Sequence, residues 1–200
     1  MDWLVLMHLG DLALTAPAAA AIAAWLAVAG AWRASLWWTA LYGLAIALVG
    51  ASKIAFLGWG TGLPAVGFKA ISGHATGATA VLPMLLFLLF RGAGTAVQRT
   101  ALPAGLGLGS LVACALVLGG EHTPAEALAG WTLGAAASAG TVCVARDLPR
   151  TRPAHGLAGA ALTFALAALL MQWLPVGYLM AKAALALSGA DRLHAWDTCG

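Results

Sequence analysis

Six apolar stretches, at roughly 12–31, 35–57, 74–91, 103–120, 125–145 and 157–175, each approach the length a helix needs to cross about 30 Å of hydrocarbon at about 1.5 Å per residue. This constrains the fold more than any other feature of the chain, because a segment in hydrocarbon must satisfy its backbone hydrogen bonds internally. The rest of the composition agrees. Hydrophobic residues make up 62% of the 200 positions and charged residues 8%, and the mean hydropathy is +0.91, far more apolar than a soluble domain. The expected fold is all-α: a polytopic membrane helical bundle with about six transmembrane helices, forming one integral membrane domain over residues 1–200. The net charge of +3, from 10 Lys and Arg against 7 Asp and Glu, is small and scattered, which excludes nucleic acid as a partner.

Arg33, Arg91, Arg99, Arg146, Arg150 and Arg152 fall on one side of the six-helix arrangement, while Lys53, Lys69, Lys182 and Arg192 fall on the other. By the positive-inside rule the arginine side is cytoplasmic. In a bacterial inner membrane, both termini and the polar motifs described below then face the periplasm. Trp3, Trp59 and Trp173 at the outer ends, with Trp32, Trp37 and Trp38 at the inner ends, fit interfacial belts, and Trp25 and Trp131 are expected within the bundle or against lipid. Pro103, Pro153 and Pro175 mark helix boundaries and Pro83 bends the third helix. The first apolar stretch lacks a basic flank and is expected to remain as a membrane helix. Cys114, Cys143 and Cys199 match neither a metal site nor a disulfide framework. Residues 177–189 are short for a span and are expected to lie at the interface.

Gly105, Gly107 and Gly109 lack the lysine of a phosphate-binding loop and read as a helix-packing surface, as do Gly130 and Gly134 and the alanine runs at 18–21 and 135–137. The chemistry concentrates in two polar motifs, Ser72-Gly73-His74 and His122-Thr123-Pro124-Ala125-Glu126, each opening an apolar helix. An imidazole at a membrane boundary is costly to desolvate and marks a functional site by default. Lys53 closes the second helix at the same level. Helix N-termini aim free N–H groups and positive dipole ends at that level, which favours an anion. Each residue also has a structural reading: Ser72 as an N-cap, Gly73 as a tight turn, and Thr123 with Glu126 as a capping box with Pro124 in the first turn. For Glu126 the two readings stand level. Lys53 and Lys69 can equally be snorkelling or solvated charges, and His8, His155 and His194 read as interfacial or loop residues.

Lys53, then Ser72-Gly73-His74, then His122 with an acid four residues later, resembles the three-part signature of the type-2 phosphatidic acid phosphatases over roughly residues 45–135. The resemblance implies metal-independent hydrolysis of a lipid phosphomonoester or diphosphate, without a cofactor. It implies that His122 attacks phosphorus to give a phosphohistidine, that His74 protonates the leaving oxygen, and that Glu126 stands where the family has Asp and orients His122. Lys53, Ser72 and the Gly73 N–H would bind phosphate, and Lys69 adds charge. This division splits one hard displacement into two easier steps, with fixed donors stabilising the transferring phosphoryl group.

The pattern departs from the family at its arginines. Gly60 and Thr61 stand where the first motif ends in Arg-Pro, Ile71 where the second begins with Pro, and Ala115 and Leu116 where the third has Ser-Arg. Lysine supplies charge without the bidentate geometry of a guanidinium, and losing one such contact costs on the order of 3 kcal/mol in the transition state. Two functions therefore compete: an outward-facing lipid phosphatase, and a catalytically degenerate relative that binds lipid or serves in a membrane complex. An intramembrane serine protease lacks a legible oxyanion hole, and a transporter would need midplane charge or an inverted repeat. Membrane lipids and a lipid phosphate are the expected partners, and the sequence singles out no protein partner.

Overall fold

A computed structural model describes residues 3–93, 95–145 and 154–195. Among these residues there are eight α-helices and no strand: α1 (Trp3–His8), α2 (Leu12–Val28), α3 (Trp32–Trp59), α4 (Gly73–Leu89), α5 (Thr95–Leu118), α6 (Pro124–Ala145), α7 (Ala154–Met171) and α8 (Val176–Ser188). The chain is an all-α helical bundle of a membrane protein. α3, α5 and α6 are long and apolar enough to span a bilayer, and α7 with α8, meeting at 56°, make a fourth span if the bent pair is counted as one. α2 and α4 are apolar but only 17 residues long, the lower limit for a span.

Each expected stretch overlaps one of α2 to α7, but some boundaries move: those at 12–31, 74–91, 103–120 and 157–175 run past the ends of α2, α4, α5 and α7. α5 begins at Thr95, so Pro103 sits inside a helix rather than at its start. The polar residues from Gln98 to Thr100 extend the helix beyond its apolar part, and helices packed in lipid tolerate proline because neighbours can satisfy the freed backbone groups. Pro83 lies inside α4, as expected, and Pro175 is the N-cap of α8. Pro153, Arg146, Arg150, Arg152 and Cys199 lie outside the described residues.

α4 is the centre of the bundle and packs against α2, α3, α5 and α6. Lipid tails are as apolar as leucine, so helices here associate by close packing rather than by escaping water. The glycines make that packing close. A Cβ on Gly130 would strike the Ser72 carbonyl and one on Gly134 the Thr76 carbonyl; a Cβ on Gly105 would strike Pro83 and one on Gly109 would lie 2.7 Å from Thr79 Oγ1. Ala19 and Ala137, from the two alanine runs, are core residues.

Trp38 is a correction. It is 1% exposed, its Nε1 donates to the Ala19 carbonyl at 2.8 Å, and its ring stacks on Tyr42. It joins α3 to α2 instead of sitting in an interfacial belt, whereas Trp32, Trp37, Trp59 and Trp173 are exposed. Trp25 is buried against Gly156 of α7, and Trp131 donates to Ser110 Oγ at 3.0 Å. Arg91 is also buried: Nη1 donates to the Ala145 carbonyl at 3.0 Å and the guanidinium lies over the Phe87 ring. It satisfies a carbonyl in the last turn of α6, where a helix leaves its carbonyls without intrahelical partners.

Candidate functional site

The α5–α6 turn, the start of α4, the end of α3 and the α1–α2 turn gather at one end of the bundle. At α6 the capping box forms as its sequence suggests: Thr123 N–H donates to Glu126 Oε2 at 3.1 Å, and Glu126 N–H donates to Thr123 Oγ1 at 3.4 Å. The same carboxylate also holds His122, with Nδ1 to Oε2 at 3.0 Å. Its other oxygen accepts the main-chain N–H groups of Lys69 at 2.8 Å and Ala70 at 3.4 Å. The structural and orienting readings of Glu126 are therefore both realised by one side chain. A carboxylate at Nδ1 fixes the ring proton there and leaves the lone pair on Nε2, the arrangement a nucleophilic imidazole requires.

His74 lies in the first turn of α4, and its ring centroid is 6.3 Å from that of His122. Its backbone is held by Gly10, where a Cβ would come within 2.6 Å of the His74 carbonyl oxygen. Asp11, Glu121, Lys53 and His122 are the titratable groups near enough to act on it. Ser72 is wholly buried, and its Oγ caps α4 by accepting from Ala75 N–H at 3.3 Å. Its main-chain N–H donates to the Glu126 carbonyl at 3.2 Å, which ties the two histidine motifs together. Lys53 Nζ comes to 4.0 Å from the Cβ position of Gly73. Both imidazoles, Lys53, Gly73 and Glu126 thus converge; Ser72 is beneath them as a cap, and Lys69 joins through its main chain.

A cavity of about 510 Å³ opens here, with Lys53, Phe56, Leu57, Lys69, His122 and Glu126 in its wall. Ala115 and Leu116, at the positions of the missing Ser-Arg pair, are buried in the contact between α4 and α5, where Leu116 packs with Ala75, Ala78 and Val112. Among the described residues, no group of three or more His, Cys, Asp or Glu side chains is placed to hold a metal ion.

One neighbour of the site escaped sequence reasoning. After α8 the chain returns across the end of α3, where His194 N–H donates to the Leu57 carbonyl at 2.7 Å. The His194 ring meets Phe56 edge-on at 5.5 Å. Its atoms lie 2.7 to 2.9 Å from the Cβ position of Gly60, which caps α3 in the left-handed region at φ +68°. The one sequence signal for this contact is the glycine at position 60.

The chain is 31% identical over 156 residues to an uncharacterized 22.5 kDa protein in the cps region of Klebsiella pneumoniae, covering 78% of this chain and 75% of that protein. The chain belongs to that protein's family. No family model matches it, and no solved structure matches it. The span shared with the Klebsiella relative is longer than the stretch from Lys53 to Glu126, so the family relation extends beyond the histidine motifs themselves.

Proposed function

We propose that the protein is a metal-independent lipid phosphatase, a divergent relative of the type-2 phosphatidic acid phosphatases, acting at the outer face of a bacterial inner membrane. The observation that carries this reading is the His122–Glu126 pair, held at 3.0 Å on a cavity that also presents Lys53, with the His74 ring centroid 6.3 Å from that of His122. His122 Nε2 attacks phosphorus as the bond to the leaving oxygen breaks, and His74 gives that oxygen its proton. Water then attacks the phosphohistidine with His74 as base, releasing inorganic phosphate and restoring both rings. Lys53, Lys69 and the main-chain N–H groups opening α4 supply positive potential around the phosphoryl oxygens. The arginine distribution supports placing this end of the bundle, and both termini, in the periplasm. The lipid tail then stays in the bilayer while its phosphate reaches the histidines.

Gly60 and the buried Leu116 favour a second reading, a degenerate relative that binds an anionic lipid without hydrolysing it, alone or within a membrane complex. The deciding experiment is phosphate release from a panel of lipid phosphates by purified protein in liposomes with chelator present. Activity on at least one lipid that disappears in both His122→Ala and His74→Ala supports the phosphatase. A folded protein that binds anionic lipid but releases no phosphate establishes the second reading.

A further inference from the structure

We infer that Asp11 is a positioning residue for His74, a carboxylate locked beside that imidazole so that its proton is in place for the leaving oxygen; the inference rests on the phosphatase reading. The placement begins with a glycine. In the turn between α1 and α2, Gly10 N–H donates to the Met7 carbonyl at 3.0 Å and Asp11 N–H to the His8 carbonyl at 3.1 Å. This sets Gly10 directly on the first turn of α4. A Cβ there would come 2.6 Å from the His74 carbonyl oxygen and 2.9 Å from the His74 Cβ, so no side chain separates the turn from the histidine. Asp11 is the next residue, its Cα about 3.8 Å further along. One helical turn on there is a second close approach, since a Cβ on Gly77 would lie 2.6 Å from Thr15 Oγ1. The two contacts hold the start of α2 in register with the start of α4, which keeps Asp11 level with His74.

The carboxylate is held as well as placed. Oδ1 accepts from Ala13 N–H at 3.0 Å as the N-cap of α2, and the Asp11 carbonyl accepts from Thr15 N–H at 2.8 Å and Thr15 Oγ1 at 3.0 Å. A neutral asparagine caps a helix about as well as aspartate, so the negative charge is an addition to the cap. His74 has a use for it. An imidazole that donates a proton must carry that proton beforehand, yet Lys53 from α3 and His122, when protonated, set positive charge against it. The N-terminal dipole of α4 has the same sign. Asp11 and Glu121 set negative charge in its favour, and Asp11 acts the more strongly of the two. Glu121 stands in the cavity wall, where it would meet the phosphate, and Asp11 does not. Asp11 therefore supports the imidazolium without standing in the substrate's path.

The test is a pH titration of the full-length protein in nanodiscs, read by nitrogen NMR of labelled histidine with the His74 signal assigned by its loss in His74→Gln. The pH profile of phosphate release and thermal denaturation are measured alongside. Asp11→Asn keeps the cap and should unfold close to the wild-type temperature. It removes the charge, so His74 is expected to lose its proton at lower pH than in wild type, and phosphate release on the alkaline side of the profile to fall about tenfold. Toward acid pH, where His74 is protonated unaided, the deficit should close. Asp11→Glu restores the charge and should titrate as wild type does. If His74 titrates alike in wild type and Asp11→Asn, Asp11 is only a cap and the inference falls. It falls too if Asp11→Asn and Asp11→Glu move the His74 midpoint equally, because the charge is then not the agent. A wild-type protein that releases no phosphate from any lipid overturns the phosphatase reading instead, and the NMR titration still decides whether Asp11 acts on His74.

Discussion

Glu126 accepts from the main chain of Lys69, Ala70 and Thr123 and from the ring of His122. Glu126→Gln keeps the size of the side chain but has only one acceptor oxygen. If that oxygen serves Lys69 and Ala70, the amide N–H₂ faces Nδ1 of His122 and forces the ring into the tautomer with its proton on Nε2. Turnover at saturating lipid is then expected to fall roughly ten-thousandfold, the scale seen when an orienting acid is neutralised. The unpaired Thr123 N–H costs about 1–3 kcal/mol of stability. Turnover measured together with thermal denaturation checks this; an activity loss no larger than the loss of folded protein would reduce Glu126 to a cap. His122→Ala should behave in the opposite way, abolishing turnover while leaving the Thr123 and Lys69 bonds, and most of the stability, in place.

Between elements, the interface of α4 and α6 sets the distance between the two histidines. Gly130→Val inserts side-chain atoms where the Ser72 carbonyl already lies. The overpacking is expected to cost about 1–3 kcal/mol or more, and it pushes the start of α4 away from Glu126, so activity should drop further than stability accounts for. Arg91→Met provides the contrast. It leaves the Ala145 carbonyl without its donor at the opposite end of the same helix pair, about 25 Å from the site along a helix of 17 residues. Stability should fall by about 1–3 kcal/mol, while turnover per folded molecule at a permissive temperature stays at the wild-type level. Melting curves and lipid turnover of the two variants, side by side, test whether the interface acts on geometry or on stability alone.

At the scale of the whole molecule, the proposed orientation is checked by cysteine labelling in intact cells. With Cys114, Cys143 and Cys199 replaced by serine, Glu121→Cys should react with an impermeant maleimide, and Gly92→Cys only after the membrane is opened. The reverse pattern would place the histidines in the cytoplasm. The helices were legible in the sequence because length and apolarity are local properties, and the two histidine motifs because each lies within a few residues of a helix start. Trp38 and Arg91 were not, since their partners lie 19 and 54 residues away in the chain. His194 was invisible for the same reason, its place being set by a fold that returns the chain to α3. Ser72 read in the sequence as a phosphate ligand ahead of a simple N-cap, and it takes its burial and its bond from Ala75 N–H to show that it caps α4. The double duty of Glu126 also bears on how lineages of this protein can drift. A descendant that abandoned hydrolysis would still need the acid to begin α6 and to anchor the loop at Lys69, whereas nothing in the scaffold would hold on to the imidazole. Among relatives, survival of the carboxylate is therefore silent about activity, and position 122 is the place to look when sorting working enzymes from retired ones.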